Sequence, residues 1–129
     1  MSFFKNIFKE NANTSKEEIK ETAKFYTLDK MEQFDEIDEI SQTKPVVLFK
    51  HSTRCSISRM ALKQFDAEFY YPEEKIDWYL LDLLNHRDLS NEIASRYNVV
   101  HQSPQIVVIR NGKAVFNESH DSISAEDLK

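Results

Sequence analysis

Val46-Val47-Leu48-Phe49 is an unbroken apolar run opened by Pro45, the pattern of a strand buried on both faces. Upstream, Met31, Phe34, Ile37 and Ile40 recur at spacing three. Glu32, Asp35, Glu36, Asp38 and Glu39 fill the other positions, which predicts an acidic amphipathic helix over 30–40. Downstream, Ile57, Ala61, Phe65 and Phe69 recur at spacing four. They predict a helix from residue 55 to about 70, closed by Tyr71-Pro72, with Arg59, Lys63 and Asp66 off the core stripe. A second apolar strand follows over 76–81, then a helix over 88–97 that carries Leu89, Ile93 and Tyr97 on one face. Ile106 to Ile109 is a third strand. Asn111-Gly112 is a strong two-residue hairpin signal, so Lys113 to Asn117 should return as a fourth strand, antiparallel to the third. Ser122 onward begins a final helix.

This order is α-β-α-β-α-β-β-α. A helical crossover makes the first two strands parallel, and the last two form a hairpin. The economical arrangement is an α/β fold, a mixed four-stranded sheet flanked by helices on both faces. It occupies residues 30–129. Residues 1–29 read as an N-terminal extension or linker: Phe3, Phe4, Ile7 and Phe8 line one face of a short helix, and 11–24 is mostly polar and charged. An amphipathic anchor there is the sharper alternative, although so short a segment with so few lysines holds a membrane weakly.

Composition narrows the chemistry. The chain has 129 residues, enough for one domain with a real core. Lys and Arg number 17 against 22 Asp and Glu, a net charge of −5, which argues against general nucleic-acid binding. Gly112 is the only glycine, which excludes P-loop and GxGxxG nucleotide sites. No apolar run approaches transmembrane length. His51, His86, His101 and His120 have no metal-ligand spacing with one another or with the cysteine, so no metal site is expected. Cys55 is the only cysteine, so the chain forms no internal disulfide, which suits a reducing, cytoplasmic setting.

Cys55 sits where the first buried strand gives way to a helix, after the polar turn His51-Ser52-Thr53-Arg54. A helix N-terminus carries free N–H donors and partial positive charge, which favour thiolate, the nucleophilic form. Ser52 and Thr53 are natural N-cap residues. Arg54 and Lys50 add positive charge able to hold an anionic thiol, and His51 either assists the thiolate or ends the strand. The bland alternative is a small buried cysteine with no role. Ser58 stands three residues beyond Cys55, where a second cysteine would resolve a mixed disulfide. A hydroxyl forms no disulfide, so a bond formed at Cys55 must be resolved by an external thiol. Ser58 is otherwise a first-turn serine, exposed or bonded to the helix backbone.

The element order, with Cys55 at the tip of the first strand and Ser103-Pro104 before the third, resembles the thioredoxin fold over roughly 30–129. The segment Phe49-Lys50-His51-Ser52-Thr53-Arg54-Cys55-Ser56-Ile57-Ser58 is similar to the monothiol bacilliredoxin family (YtxJ type), whose usual motif is Thr-Cys-Pro-Ile-Ser or Thr-Arg-Cys-Pro-Ile-Ser. Ser56 replaces the family proline. The resemblance implies a thiol–disulfide oxidoreductase that removes bacillithiol, or a similar low-molecular-weight thiol, from mixed disulfides on cytosolic proteins. Cys55 would be the nucleophile, supported by His51, Thr53, Arg54, Ser56, Ser58, Ser103 and Pro104. It implies a cis bond at Pro104 and a backbone contact to substrate at Ser103. No cofactor would be bound, and bacillithiol would be the thiol co-substrate. Other readings are a thioredoxin-like binding module or thiol-stress sensor, and, on the faint Ser52-x-x-Cys55 likeness, a cysteine peroxidase. Some monothiol glutaredoxins hold an iron–sulfur cluster, but their motif has Gly and Phe after the cysteine and this chain has Ser and Ile, so cluster binding is not expected.

Overall fold

The computed structural model describes residues 25–69, 71, 75–120 and 123–124. In order these form β1 (Phe25–Thr27), α1 (Gln33–Ile40), β2 (Val46–His51), α2 (Ser56–Glu68), β3 (Asp77–Asp82), α3 (Arg87–Tyr97), β4 (Gln105–Arg110) and β5 (Lys113–Ser119). The expected helix beyond Ser122 and the expected short helix near the N-terminus lie outside the described residues.

Among the described residues the sheet has five strands where the sequence predicts four, in the order β1-β3-β2-β4-β5. β1 and β3 run parallel, as do β3 and β2, whereas β4 lies antiparallel to β2 and to β5. The additional strand comes from Phe25–Thr27, which falls within the predicted extension. It pairs with Trp78–Leu80, and Leu28 just beyond it is fully buried. The sheet therefore includes residues 25–27 of the predicted extension. The sequence conceals β1 because its three residues are all exposed on the sheet edge and show no alternation.

β2 is the centre of the sheet, and every one of its residues is buried. Alternate side chains leave the pleat on opposite sides. Val46 and Leu48 join Phe34, Ile37, Leu89 and Ile93 beneath α1 and α3. Val47 and Phe49 join Phe65, Phe69, Trp78 and Ile106 beneath α2. This two-sided burial is why the run is continuously apolar. Parity then sends Lys50 to the α1/α3 side and His51 to the α2 side.

α2 is fixed by an aromatic stack. Phe65 packs 5.0 Å from Trp78 and 5.2 Å from Phe49, both edge to face, and Phe69 lies 5.4 Å from Trp78. Its stripe differs from the spacing-four expectation. Ser58 and Phe65 are buried, whereas Ile57 is 55% exposed. At about 100° per residue a strict spacing of four drifts, so Ile57 and Phe69 stand about 120° apart around the helix. Ser58, Phe65 and Phe69 fall within about 40° of one another, and the serine occupies the core position. At the far end Asn111 and Gly112 both take positive φ (55° and 74°), the backbone of the predicted two-residue hairpin turn.

Candidate active site

The site is assembled at one end of β2. Lys50 pairs with Gln105 in the antiparallel β2–β4 register, so His51 and Pro104 follow at the same edge. From His51 the chain turns through Ser52–Arg54, and the Cys55 amide donates to the Ser52 carbonyl at 3.2 Å. Cys55 itself is the N-cap residue of α2, in an extended conformation (φ −105°, ψ 122°), and no side-chain cap bond is formed. The expectation that Ser52 and Thr53 cap the helix by their hydroxyls is therefore corrected: both contribute backbone carbonyls. Arg59 donates its amide to the Cys55 carbonyl at 3.0 Å, closing the first helical turn. The amides of residues 56–58 consequently have no intrahelical acceptor at the thiol end. The thiol is half-buried, neither sealed in the core nor on a free surface.

Ser58, in the first turn of α2, is fully buried rather than exposed, and its hydroxyl bonds to groups outside the helix rather than to the helix backbone. Its hydroxyl accepts the Ser52 amide at 2.9 Å and lies 2.7 Å from His51 Nδ1. The residue in the resolving position is thus a strut that holds the Cys55 turn. His51, 7% exposed, is part of that strut. Burial lowers its pKa below 6.5, with Asp82 opposing the shift and Arg59 reinforcing it. At neutral pH the ring is uncharged, and its link to the turn is the hydrogen bond to Ser58. Arg54 and Ser56, flanking the cysteine, are exposed. The arginine that ties the turn is instead Arg59, whose Nη1 donates to the Thr53 carbonyl at 3.2 Å.

The Ser103-Pro104 peptide bond is cis, as the resemblance implies. Pro104 is buried, Ser103 half-buried, and the Pro104 carbonyl accepts the His120 amide at 3.0 Å. Lys50 corrects the expectation of a basic rim. Its side chain is fully buried, with Nζ 2.7 Å from His101 Nδ1 and 3.0 Å from Gln105 Oε1. Burial brings its pKa down from 10.5 to about 8. The sequence did not single out His101 or Gln105 for this role. The available signal was a lysine ending an otherwise apolar buried run.

Two recesses flank α2. An apolar groove of about 430 Å³ is lined by Ile57, Met60, Ala61, Gln64, His120 and Ile123. On the opposite side a recess of about 370 Å³ is lined by His51, Arg59, Lys63 and Asp66 together with Phe25, Leu62 and Leu80. Among the described residues no group of three or more His, Cys, Asp or Glu side chains converges on a point that could hold a metal ion.

A family model described as monothiol bacilliredoxin BrxC matches residues 26–128. The chain belongs to the monothiol bacilliredoxin family. The match begins one residue into β1, consistent with the strand the sheet gains there. A solved structure described as a candidate oxidoreductase with a thioredoxin fold is 38% identical, over 80% of this chain and 88% of that one, with a TM-score of 0.69. Malassezia sympodialis thioredoxin, 18% identical, matches over 82% of this chain and 85% of its own with a TM-score of 0.65. The short form of thioredoxin f from spinach chloroplast, 15% identical, gives 0.61 over 78% and 84%. The last two likenesses establish the thioredoxin fold. The family match places this bacilliredoxin-family chain among thiol oxidoreductases of that fold. No helix among the described residues is long and apolar enough to cross a membrane.

Proposed function

We propose that the protein is a monothiol oxidoreductase that removes bacillithiol from mixed disulfides on cytosolic proteins through Cys55. The observation that carries this reading is the lone thiol at the α2 N-cap, with Ser58 locked by His51 and Ser52 in the position of a resolving group. The Cys55 thiolate attacks the bacillithiol sulfur of the mixed disulfide. The protein–bacillithiol S–S bond breaks, the protein leaves as its thiolate, and a Cys55–bacillithiol disulfide forms. A second bacillithiol, as thiolate, attacks the bacillithiol sulfur of that disulfide. Oxidised bacillithiol is released and the Cys55 thiolate returns, so one disulfide is exchanged for another and no electron is gained or lost.

The remaining groups act on position. The turn held by Ser58, His51 and Arg59 keeps the sulfur at the helix terminus. Ser103, ahead of Pro104, would offer backbone hydrogen bonds to the protein substrate, and exposed Arg54 would meet the carboxylates of the small thiol. The test is release of bacillithiol from a purified mixed-disulfide protein by the full chain. Wild type should turn over with excess bacillithiol, and Cys55→Ser should be inert. Equal activity of the two ends the enzymatic reading. A wild type that takes up one bacillithiol and stops would support a thiol-stress sensor instead.

A further inference from the structure

The loop that precedes β4 is held by a buried lysine that has no carboxylate partner. Lys50 is fully buried, and among the described residues no acidic group lies within ion-pair distance of its Nζ. Its two acceptors are neutral: His101 Nδ1 at 2.7 Å and Gln105 Oε1 at 3.0 Å. Gln105, also buried, passes the attachment onward. Its Nε2 donates to the Val100 carbonyl at 3.0 Å, and its Oε1 receives the Gln102 amide at 3.4 Å. Three consecutive residues, 100 to 102, are therefore fastened by two buried side chains, and Ser103-Pro104 comes next. The other neighbours are uncharged or distant. Ser90 on α3 places Oγ 3.4 Å from His101 Nδ1, Leu81 on β3 is the parallel neighbour of Lys50, and Arg87 on α3 acts on His101 only through its charge.

Isolated buried ammonium groups oppose folding, because burial disfavours the charged form. A lysine at this place therefore needs a reason other than stability. An ammonium donates and does not accept. Its bond to His101 Nδ1 consequently holds the imidazole neutral with the proton on Nε2, and fixes the ring against the sheet end.

We propose that Lys50 is a positioning residue for the exchange site, its buried ammonium clamping the 100–104 loop, and hence Ser103-Pro104, to the end of β2 from which the Cys55 turn departs. Insofar as it concerns catalysis, the proposal rests on the thiol-exchange reading above. Lys50 touches no reacting atom. It sets the backbone that receives the protein substrate, and acts on substrate affinity rather than on the thiol.

The experiment is Lys50→Met in the full chain, with three readouts beside wild type at pH 7. The melting temperature should hold or rise. Amide hydrogen exchange should accelerate about tenfold or more in residues 100–104, the size expected for one lost charge-assisted hydrogen bond, and remain unchanged in β2 and β3. KM for a protein mixed disulfide should rise by a similar factor, while alkylation of Cys55 by iodoacetamide keeps its rate. Unchanged exchange in the loop overturns the proposal. So does a lower melting temperature with loss of protection throughout the chain, which would make Lys50 a core residue and nothing more. If wild type releases no bacillithiol, the exchange-site reading fails by itself, and loop exchange still decides whether Lys50 is the clamp.

Discussion

Ser58→Ala separates the strut from the chemistry. The hydroxyl is fully buried and makes two hydrogen bonds, from the Ser52 amide at 2.9 Å and with His51 Nδ1 at 2.7 Å. Alanine keeps the helix and removes both partners at once. His51 Nδ1 is left inside the protein without its partner, a loss of about 1–3 kcal/mol for a buried polar group. Ser52 is half-buried, so water recovers part of its bond and its share falls near the low end. The sum is about 2–3 kcal/mol, and at roughly 4 °C per kcal/mol for a domain of this size the midpoint should fall about 10 °C. Thermal unfolding followed by far-ultraviolet circular dichroism at pH 7 measures it. Below its own midpoint the variant should retain most of its turnover, because the hydroxyl forms and breaks no bond in the exchange. A midpoint within about 2 °C of wild type would refute the strut, since even one unsatisfied buried group exceeds that shift.

Ser58→Cys supplies the resolver the chain lacks: release of the first bacillithiol should no longer need added bacillithiol, and the variant should then stop as an intramolecular disulfide, a hydrogen pair lighter by mass spectrometry, until an external thiol reduces it. His51 and His101 both have pKa values lowered from 6.5, chiefly by burial. The unfolded chain therefore binds protons that the fold refuses, and stability should fall as pH drops through 6.5, visible as a declining midpoint in melts between about pH 7 and 5. Lys50 acts in the alkaline window. Below about pH 8 both states carry the proton, whereas between 8 and 10.5 only the unfolded state does, so stability rises with pH. At ~1.4 kcal/mol per pH unit the gain approaches about 3 kcal/mol, and denaturant titrations should show it in wild type and not in Lys50→Met. Phe65→Ala removes the ring shared by Phe49, Phe69 and Trp78. It should lower stability by about 3–5 kcal/mol by the same titration.

Elements with a strong period of their own were readable from the chain. The β2 run, the Cys55 junction, α3 with Leu89, Ile93 and Tyr97, and the Asn111-Gly112 turn all appear in the structure, because local sequence and tertiary environment demand the same residues there. β1 is stabilised by its partner strand rather than by its own pattern, so Phe25–Thr27 merged into the polar stretch before it. In α2 the regular spacing of Ile57, Ala61, Phe65 and Phe69 concealed Ser58, because a polar residue on the core stripe breaks the pattern that identifies the stripe. Lys50 was misplaced for a related reason. Charge assigned it to the rim and strand parity to the interior. Its acceptors are His101, in a loop without periodicity, and Gln105, the first residue of β4, so only the folded chain reveals which tendency prevails.

The aromatic stack beneath α2 also gives the molecule a built-in optical gauge. Trp78 is the chain's single tryptophan, fully buried, in contact with Phe65 of α2 and with Phe69 just beyond that helix, and Phe25 of the edge strand is 5.3 Å away. All indole fluorescence thus originates at one point, where the helix that begins at Cys55 meets the sheet. Emission from so buried an indole is expected at short wavelength, and should move to the red when α2 lifts or the edge strand detaches. Changes at the thiol that loosen its helix can therefore be followed in unlabelled protein, in the same cuvette as the exchange reaction.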